Sequence, residues 1–343
     1  MLTFGDEIIY NLSALREQHA MLPKQIITSL QTDLLETTYS LLSIHHHTMH
    51  QQAFLLAKQQ LEFEGLLPPW EAFCFVMLGS GARSEQALRV DQDHALIFVM
   101  AKHSSESLAQ IYVAKLTELI AAYLYEIGYA LCTGNVMASN PRWRGMAQEW
   151  SIRLINYQAE PTWENIRFLL IAADSVPIIG DWQLLVTMRK QAVHAIATSP
   201  FMRWKIADQG RVDKLVVPLW KRGSLSIKET LYTPLVNSVR LWAHSMSIEE
   251  PSTLERMTLL VKQHAWTEAF GAEAKQVFMQ VLDWRVRIHV ECLLRKTDIT
   301  DMLNVTKLTP EEWERLKMAI RFVRKLQLLT VKSFRERGSA DGV

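Results

Sequence analysis

Two short apolar runs stand out in a chain whose other apolar positions mostly recur at helical spacing. Phe73 to Leu78 (FCFVML) and Ala95 to Val99 (ALIFV) are continuous, rich in β-branched and aromatic residues and of strand length. Upstream, Leu12, Leu15, His19 and Leu22 share roughly one helical face, and Pro23 is placed to open a new helix at its first turn. Ile26, Leu30, Leu34, Leu41 and Leu42 continue a helical period, so residues 6 to 66 read as helical until Gly65 to Trp70 (GLLPPW) breaks the pattern. Beyond the second strand, Ser107 to Ile127 reads as a helix closed by Gly128, Tyr129 to Met137 resumes strand character, and Pro141 to Gln158 and Pro161 to Ala173 read as helices. From about Trp182 the helical period runs almost to the end, broken near Pro218, Gly223, Pro251 and Pro310. No internal repeat or low-complexity tract is evident. The pattern predicts an α+β fold: a helical region over 1–68, a domain with a small mixed sheet over 69–181, and a helical bundle over 182–343.

The stretch joining the two strands, Gly79 to Asp93 (GSGARSEQALRVDQD), carries the clearest chemistry. Its small residues predict a turn into a short helix whose backbone N–H groups face outward, a cradle for phosphate oxygens. Gly79 permits close approach and the Ser80 hydroxyl can donate to phosphate. Asp91 and Asp93 are two apart, so on an extended backbone they project from one face. A lone Asp there reads as a solvated strand edge. Two same-face acids ahead of an apolar strand are costly unless they hold something, and a divalent cation is the natural candidate.

These residues resemble the DNA polymerase beta-like nucleotidyltransferase superfamily: an apolar strand, a Gly-Ser turn, a spacer, then Asp-x-Asp before another apolar strand. Within it, GSGARSEQALRVDQDHALI is similar to the nucleotidyltransferases often fused to CBS domains, relatives of the PII-protein uridylyltransferase. Gly134 to Gly145 (GNVMASNPRWRG), Asp174 to Asp181 (DSVPIIGD), Ile227 to Ala243 and Ser252 to Met257 follow in the order this resemblance implies. Residues 1–68 read as too short for a CBS pair. The resemblance implies a nucleotidyltransferase domain followed by a substrate-binding helical domain. It also implies Mg²⁺, two ions, held by Asp91 and Asp93, and a nucleoside triphosphate bound at Gly79, Ser80 and Arg83. Arg83 either contacts phosphate or braces the acids, and Glu85 orients it or caps the turn. The family's Gly before that Arg is Ala82 here.

A third carboxylate is expected from a later strand, yet Tyr129 to Ala138 has no acid. Asp174 is the family-matching choice and Glu164 a second. Asp174 either reaches the metals or caps a helix, and Val176 stands where relatives tend to have Arg. Arg144 can hold a phosphate. Trp143 either stacks on a base or is buried behind an Asn140-Pro turn. Lys228 and Arg240 match basic positions of the family's substrate-binding region. His45, His46, His47 and His50 invite a zinc reading, but with no acid or cysteine to complete a set they read as an exposed polar face.

Composition trims the alternatives. The formal net charge is +1 over 343 residues, which disfavours a grip on long nucleic acid. The three cysteines, Cys74, Cys132 and Cys292, show no ligand spacing, and Cys74 reads as a small buried residue. Early acids without a basic segment argue against a secretory signal, no apolar run reaches membrane-spanning length, and the last residues (RERGSADGV) read as a frayed tail. A cytoplasmic protein is expected, with homo-oligomerisation left open. Two functions remain. One is transfer of a nucleoside monophosphate to a hydroxyl of a regulatory protein or small molecule, releasing pyrophosphate. The other is a catalytically weak nucleotide-sensing and protein-interaction module.

Overall fold

The computed structural model describes residues 11–212 and 223–335. The chain forms two compact units, one running up to Arg153 with Asp174–Met188 added, the other holding Leu154–Ala173 and the chain from Arg189 onward. The expected break at Pro218, the first ten residues and the tail beyond Arg335 lie outside the described residues.

In the first unit, α1 (Leu12–Thr32) starts at Asn11, whose side chain accepts the Ala14 N–H. Pro23 lies inside α1 rather than opening a new helix. The break falls at Asp33, whose N–H returns to the Ser29 carbonyl before α2 (Leu35–Phe63) begins. Four strands follow, β1 (Trp70–Leu78), β2 (His94–Met100), β3 (Arg144–Met146) and β4 (Ser175–Gly180), in the spatial order β3-β2-β1-β4. β1 pairs antiparallel with β2 and β4, and β2 pairs parallel with β3, so the sheet is mixed and the fold is α+β. A four-residue helical turn, α3 (Gly79–Ala82), leaves the end of β1, and α4 (Glu106–Ile127) runs from a Ser105 cap to Gly128 at positive φ. The apolar side chains of the sheet pack on α2 and α4. Phe54 of α2 stacks on Phe73 and Phe75 of β1, and Leu116, Ile120 and Leu124 of α4 complete the layer. Each fully buried side chain of this kind contributes about 1.5–3 kcal/mol.

Two predicted elements differ. Tyr129 to Met137 is irregular, with a single isolated bridge from Ala130 to Asp91, because its backbone is spent on turns and on staples to the start of β2. The predicted helix over Pro141 to Gln158 divides into a 3₁₀ turn (Pro141–Trp143), β3 and α5 (Ala147–Ala159). Gly145, at φ 151°, lets β3 form beside the Glu149 and Arg153 side chains.

The second unit is helical: α6 (Trp163–Ala173), the later part of α7 (Trp182–Thr198), α8 (Pro200–Gln209), α9 (Thr233–Ser245), α10 (Thr253–Lys262), α11 (Glu268–Leu294) and α12 (Pro310–Ser333). Ser252, Thr267 and Thr309 cap α10, α11 and α12, and Thr309 with Glu312 forms a reciprocal capping box. Leu235, Val239, Met257, Phe278, Val281, Ile320 and Val323 are buried. The helical period hides two three-residue strands, β5 (Ser224–Ser226) and β6 (Met302–Asn304), which pair antiparallel. They are too short for a period-2 signal to show.

The histidines of α2 overturn the expectation of an exposed face. His45, His46 and His50 are buried among α1, the Tyr129 ring and His94. His46 donates from Nε2 to the Ala87 carbonyl and accepts the Tyr129 hydroxyl on Nδ1, which satisfies a neutral ring. His47 is half-buried and reaches the Pro177 carbonyl. Burial pushes His46 and His94 down to about 3, with neighbouring imidazoles adding to the effect. It pushes His45 and His50 down to about 4.

These rings are neutral in the fold but protonate near pH 6.5 in the unfolded chain. The unfolded state therefore binds more protons below that pH, and stability is lost as pH falls from 6.5 toward 4. Each ring adds a slope of about 1.4 kcal/mol per pH unit. Thermal melts should hold steady from pH 8 to 7 and drop steeply between 6.5 and 5, above the range of ordinary carboxylates. A melting temperature unchanged across that window would contradict the buried neutral network.

Candidate active site

The site is assembled where β1 ends and β2 begins. The Leu78 N–H donates to the Asp93 carbonyl and the Gly79 N–H to the Asp174 carbonyl, at 3.0 and 3.1 Å. Gly79 has φ 59°, and a Cβ there would lie 2.9 Å from Asp93 Oδ2. Only glycine accommodates both the left-handed backbone and the carboxylate resting against it. The expected outward-facing N–H at Gly79 is thus already used by Asp174. Ser80, in the first turn of α3, is half-buried.

Asp91, Gln92 and His94 are stapled to the irregular segment that follows α4. Asp91 bridges Ala130, the Gln92 N–H donates to the Ala130 carbonyl (2.9 Å), and the His94 N–H donates to the Val136 carbonyl (3.1 Å). The Ala138 N–H returns to His94 Nδ1 at 3.1 Å. These bonds bring Cys132 beside the aspartates. One carboxylate oxygen each of Asp91 and Asp93 and the Cys132 sulfur lie within 4.8 Å of one another. Both aspartates are half-buried and Cys132 is buried. Burial and the Asp93 carboxylate push the Cys132 thiol up to about 12, while N–H groups of Val136 and Gly134 pull the other way. Two carboxylates and a sulfur at this separation fit a divalent cation. Sequence spacing missed Cys132 because the pairing that delivers it is long-range. The turn residues Gly134 and Asn135 were the local signal.

Arg83 and Asp174 form a separate set. Arg83 Nη1 donates to Asp174 Oδ2 at 2.7 Å and Arg83 Nε to Glu85 Oε2 at 2.9 Å, all three side chains being almost fully buried. Asp174 follows α6 and leads into β4, so it caps no helix, and its carboxylate meets Arg83 outside the Asp91–Asp93–Cys132 group.

Other candidates sit elsewhere. Arg144 donates from Nη1 to Thr117 Oγ1 and to the carbonyls of Ala138 and Ser139. It lines a cavity of about 320 Å³ with Phe98, Met100, Val113, Met146 and Arg153. Neither Asp91 nor Asp93 lines that cavity. Trp143 is buried against Trp150, and Asn140 caps the turn by accepting the Arg142 N–H. In the second unit, Lys228 is exposed on a π-helical turn (Lys228–Tyr232), Arg240 donates to Asn237 Oδ1 on α9, and Glu164 is exposed in the first turn of α6.

Residues 25–164 match a family model described as "Putative nucleotidyltransferase DUF294", and residues 203–334 match one described as "Putative nucleotidyltransferase substrate binding domain". The chain belongs to this nucleotidyltransferase-like family. The nucleotidyltransferase match holds α3, both aspartates, Cys132 and Arg144, whereas Asp174 falls between the two matches and Lys228 within the second. No curated protein matches the chain. Among the described residues no helix is long and apolar enough to cross a membrane.

Removing Arg83 strands two buried carboxylates, so Arg83→Met should lower the unfolding free energy by about 3–5 kcal/mol in urea titrations. A loss under about 1 kcal/mol, the worth of a surface pair, would show that the three groups do not depend on one another.

Proposed function

We propose that this nucleotidyltransferase is Mg²⁺-dependent and moves a nucleoside monophosphate from a triphosphate to an acceptor hydroxyl. The convergence of Asp91, Asp93 and Cys132 in a chain of this family carries the proposal. When bound, the ions neutralise the triphosphate and polarise its α-phosphate. Asp91 and Asp93 hold them. Gly79 lets the Asp93 carboxylate stand against the turn, and the Ser80 hydroxyl donates to a phosphate oxygen. The acceptor oxygen attacks the α-phosphorus as the bond to the β-phosphate bridging oxygen breaks, pyrophosphate leaves, and the hydroxyl proton passes to solvent.

Arg83 and Asp174 act as positioning residues, because a guanidinium held by two buried carboxylates fixes the turn that carries Gly79 and Ser80. Arg144 braces Ala138 and Ser139, behind the segment that bears Cys132. Lys228 belongs to the part matching a substrate-binding domain and serves the nucleotide or acceptor there. The acceptor is a regulatory protein or a small molecule, and a reducing cytoplasm suits the three free thiols.

One observation favours the second reading, a nucleotide sensor with weak catalysis: the Asp174 carboxylate is paired with Arg83, and among the described residues two carboxylates join the group. The two readings separate on pyrophosphate release measured with each of the four ribonucleoside triphosphates and a cell extract as the source of acceptor. Tight binding without release by the native protein would move it to the sensor class. Where release is seen, Asp91→Asn with Asp93→Asn should lower it at least about a hundredfold, as expected for losing several kcal/mol of charge stabilisation. The double variant should also lose Mg²⁺-dependent triphosphate binding in calorimetry while melting like the native protein. Unchanged affinity would remove these aspartates from the site.

A further inference from the structure

We propose that Cys132 is a metal ligand, so that one ion position is built from two carboxylates and a sulfur and takes Co²⁺, Zn²⁺ or Cd²⁺ ahead of Mg²⁺. This rests on reading Asp91 and Asp93 as metal ligands and goes beyond it by assigning the sulfur. The two ion positions then differ in chemistry: Mg²⁺ enters with the triphosphate, and the softer ion sits at the sulfur.

Three observations carry the assignment. The first is distance. Donor atoms sharing one ion at metal–ligand bonds of 2.0–2.3 Å stand roughly 3.5 Å apart. The sulfur and both carboxylates already lie within 4.8 Å of one another, so small side-chain rotations close the set.

The second is how Cys132 is delivered. Three hydrogen bonds, from the Gln92, His94 and Ala138 N–H groups, fix the segment against the start of β2. That segment, Tyr129 to Ala138, has no carboxylate or imidazole, and Cys132 is the strongest divalent-metal ligand it offers.

The third is the environment of the sulfur. The chain turns closely around it through Gly134 and Asn135, the latter at φ 52°, and a Cβ at Gly134 would lie 3.6 Å from Sγ, so the backbone holds the sulfur on the side of the aspartates. Cys74, on β1, shows the contrast: it is fully buried, and its sulfur donates to the Phe75 carbonyl at 3.9 Å. On binding, the S–H bond breaks, the proton leaves to solvent and the sulfur–metal bond forms, with no change of oxidation state.

Co²⁺ added to chelator-stripped full-length protein tests this without reference to turnover. One equivalent should raise a near-ultraviolet sulfur-to-cobalt charge-transfer band. The band should vanish in Cys132→Ser and persist in Cys74→Ser and Cys292→Ser. Calorimetry should show Co²⁺ affinity falling about 10- to 100-fold in Cys132→Ser, with Mg²⁺ affinity changed far less. Cys132→Asp should restore binding and turn the preference toward Mg²⁺. In the native protein, where no variant can misfold, Co²⁺ should slow alkylation of Cys132 at least about tenfold, and equal Mg²⁺ should not.

Co²⁺ bound without the band, and abolished by Asp91→Asn with Asp93→Asn, would overturn the sulfur ligand and leave the carboxylate site standing. Co²⁺ bound equally well by that double variant would overturn both, and no Co²⁺ bound by the native protein would overturn the sulfur site alone, since Mg²⁺ enters with the triphosphate.

Discussion

Arg83 faces two carboxylates, Asp174 and Glu85, in a place with almost no access to water. Neither acid can stay charged there without a cation, and the cation cannot leave without stranding both. That constraint ties the turn after β1 and the loop that follows it to the entry to β4, which lies 91 residues beyond Arg83. The Gly79 N–H, bonded to the Asp174 carbonyl, extends the same tie to the backbone. Gly79 in turn decides how closely the Asp93 carboxylate can lie. The Asp91–Asp93–Cys132 group therefore hangs from a buried ion set that shares no member with it, and we read Arg83 and Asp174 as the frame of the proposed site rather than its chemistry.

A second scaffold lies behind the aspartates. His46, His50, His94 and Tyr129 fill the space between α2 and the start of β2 as neutral, hydrogen-bonded rings. His94 directly follows Asp93, and its Nδ1 accepts the Ala138 N–H. The network therefore holds the ends of both segments that carry the proposed ligands. Protonating any member places a charge in a dry interior, so the scaffold is most secure at neutral pH.

What the sequence made legible follows from the range of the interactions involved. β1, β2, α4 and α6 are local patterns closed by local signals, such as Ser105 and Gly128 for α4, and periodicity finds them. The Asp91–Asp93 pair and Gly79 are likewise written in one short motif. Long-range choices decide the rest. Cys132 joins the aspartates through backbone pairing across the chain, and the local signal, the turn at Gly134 and Asn135, does not name the partner. His45, His46 and His50 look polar by residue type, yet each can be buried because a neutral imidazole with a donor and an acceptor satisfied behaves as a core residue. Asp174 matched a motif as an acid, and only the packing shows that its partner is Arg83. β5 and β6 are three residues each, below the length at which alternation carries information.

Anomalous diffraction from crystals grown with Mn²⁺ and a non-hydrolysable nucleoside triphosphate tests most directly whether this frame serves metal-bound triphosphate chemistry. We predict an anomalous peak bounded by Asp91 and Asp93, with phosphate density against the Gly79–Ser80 turn. Manganese and phosphates gathered instead in the cavity beside Arg144 and Met100, with Asp91 and Asp93 facing only water, would contradict it.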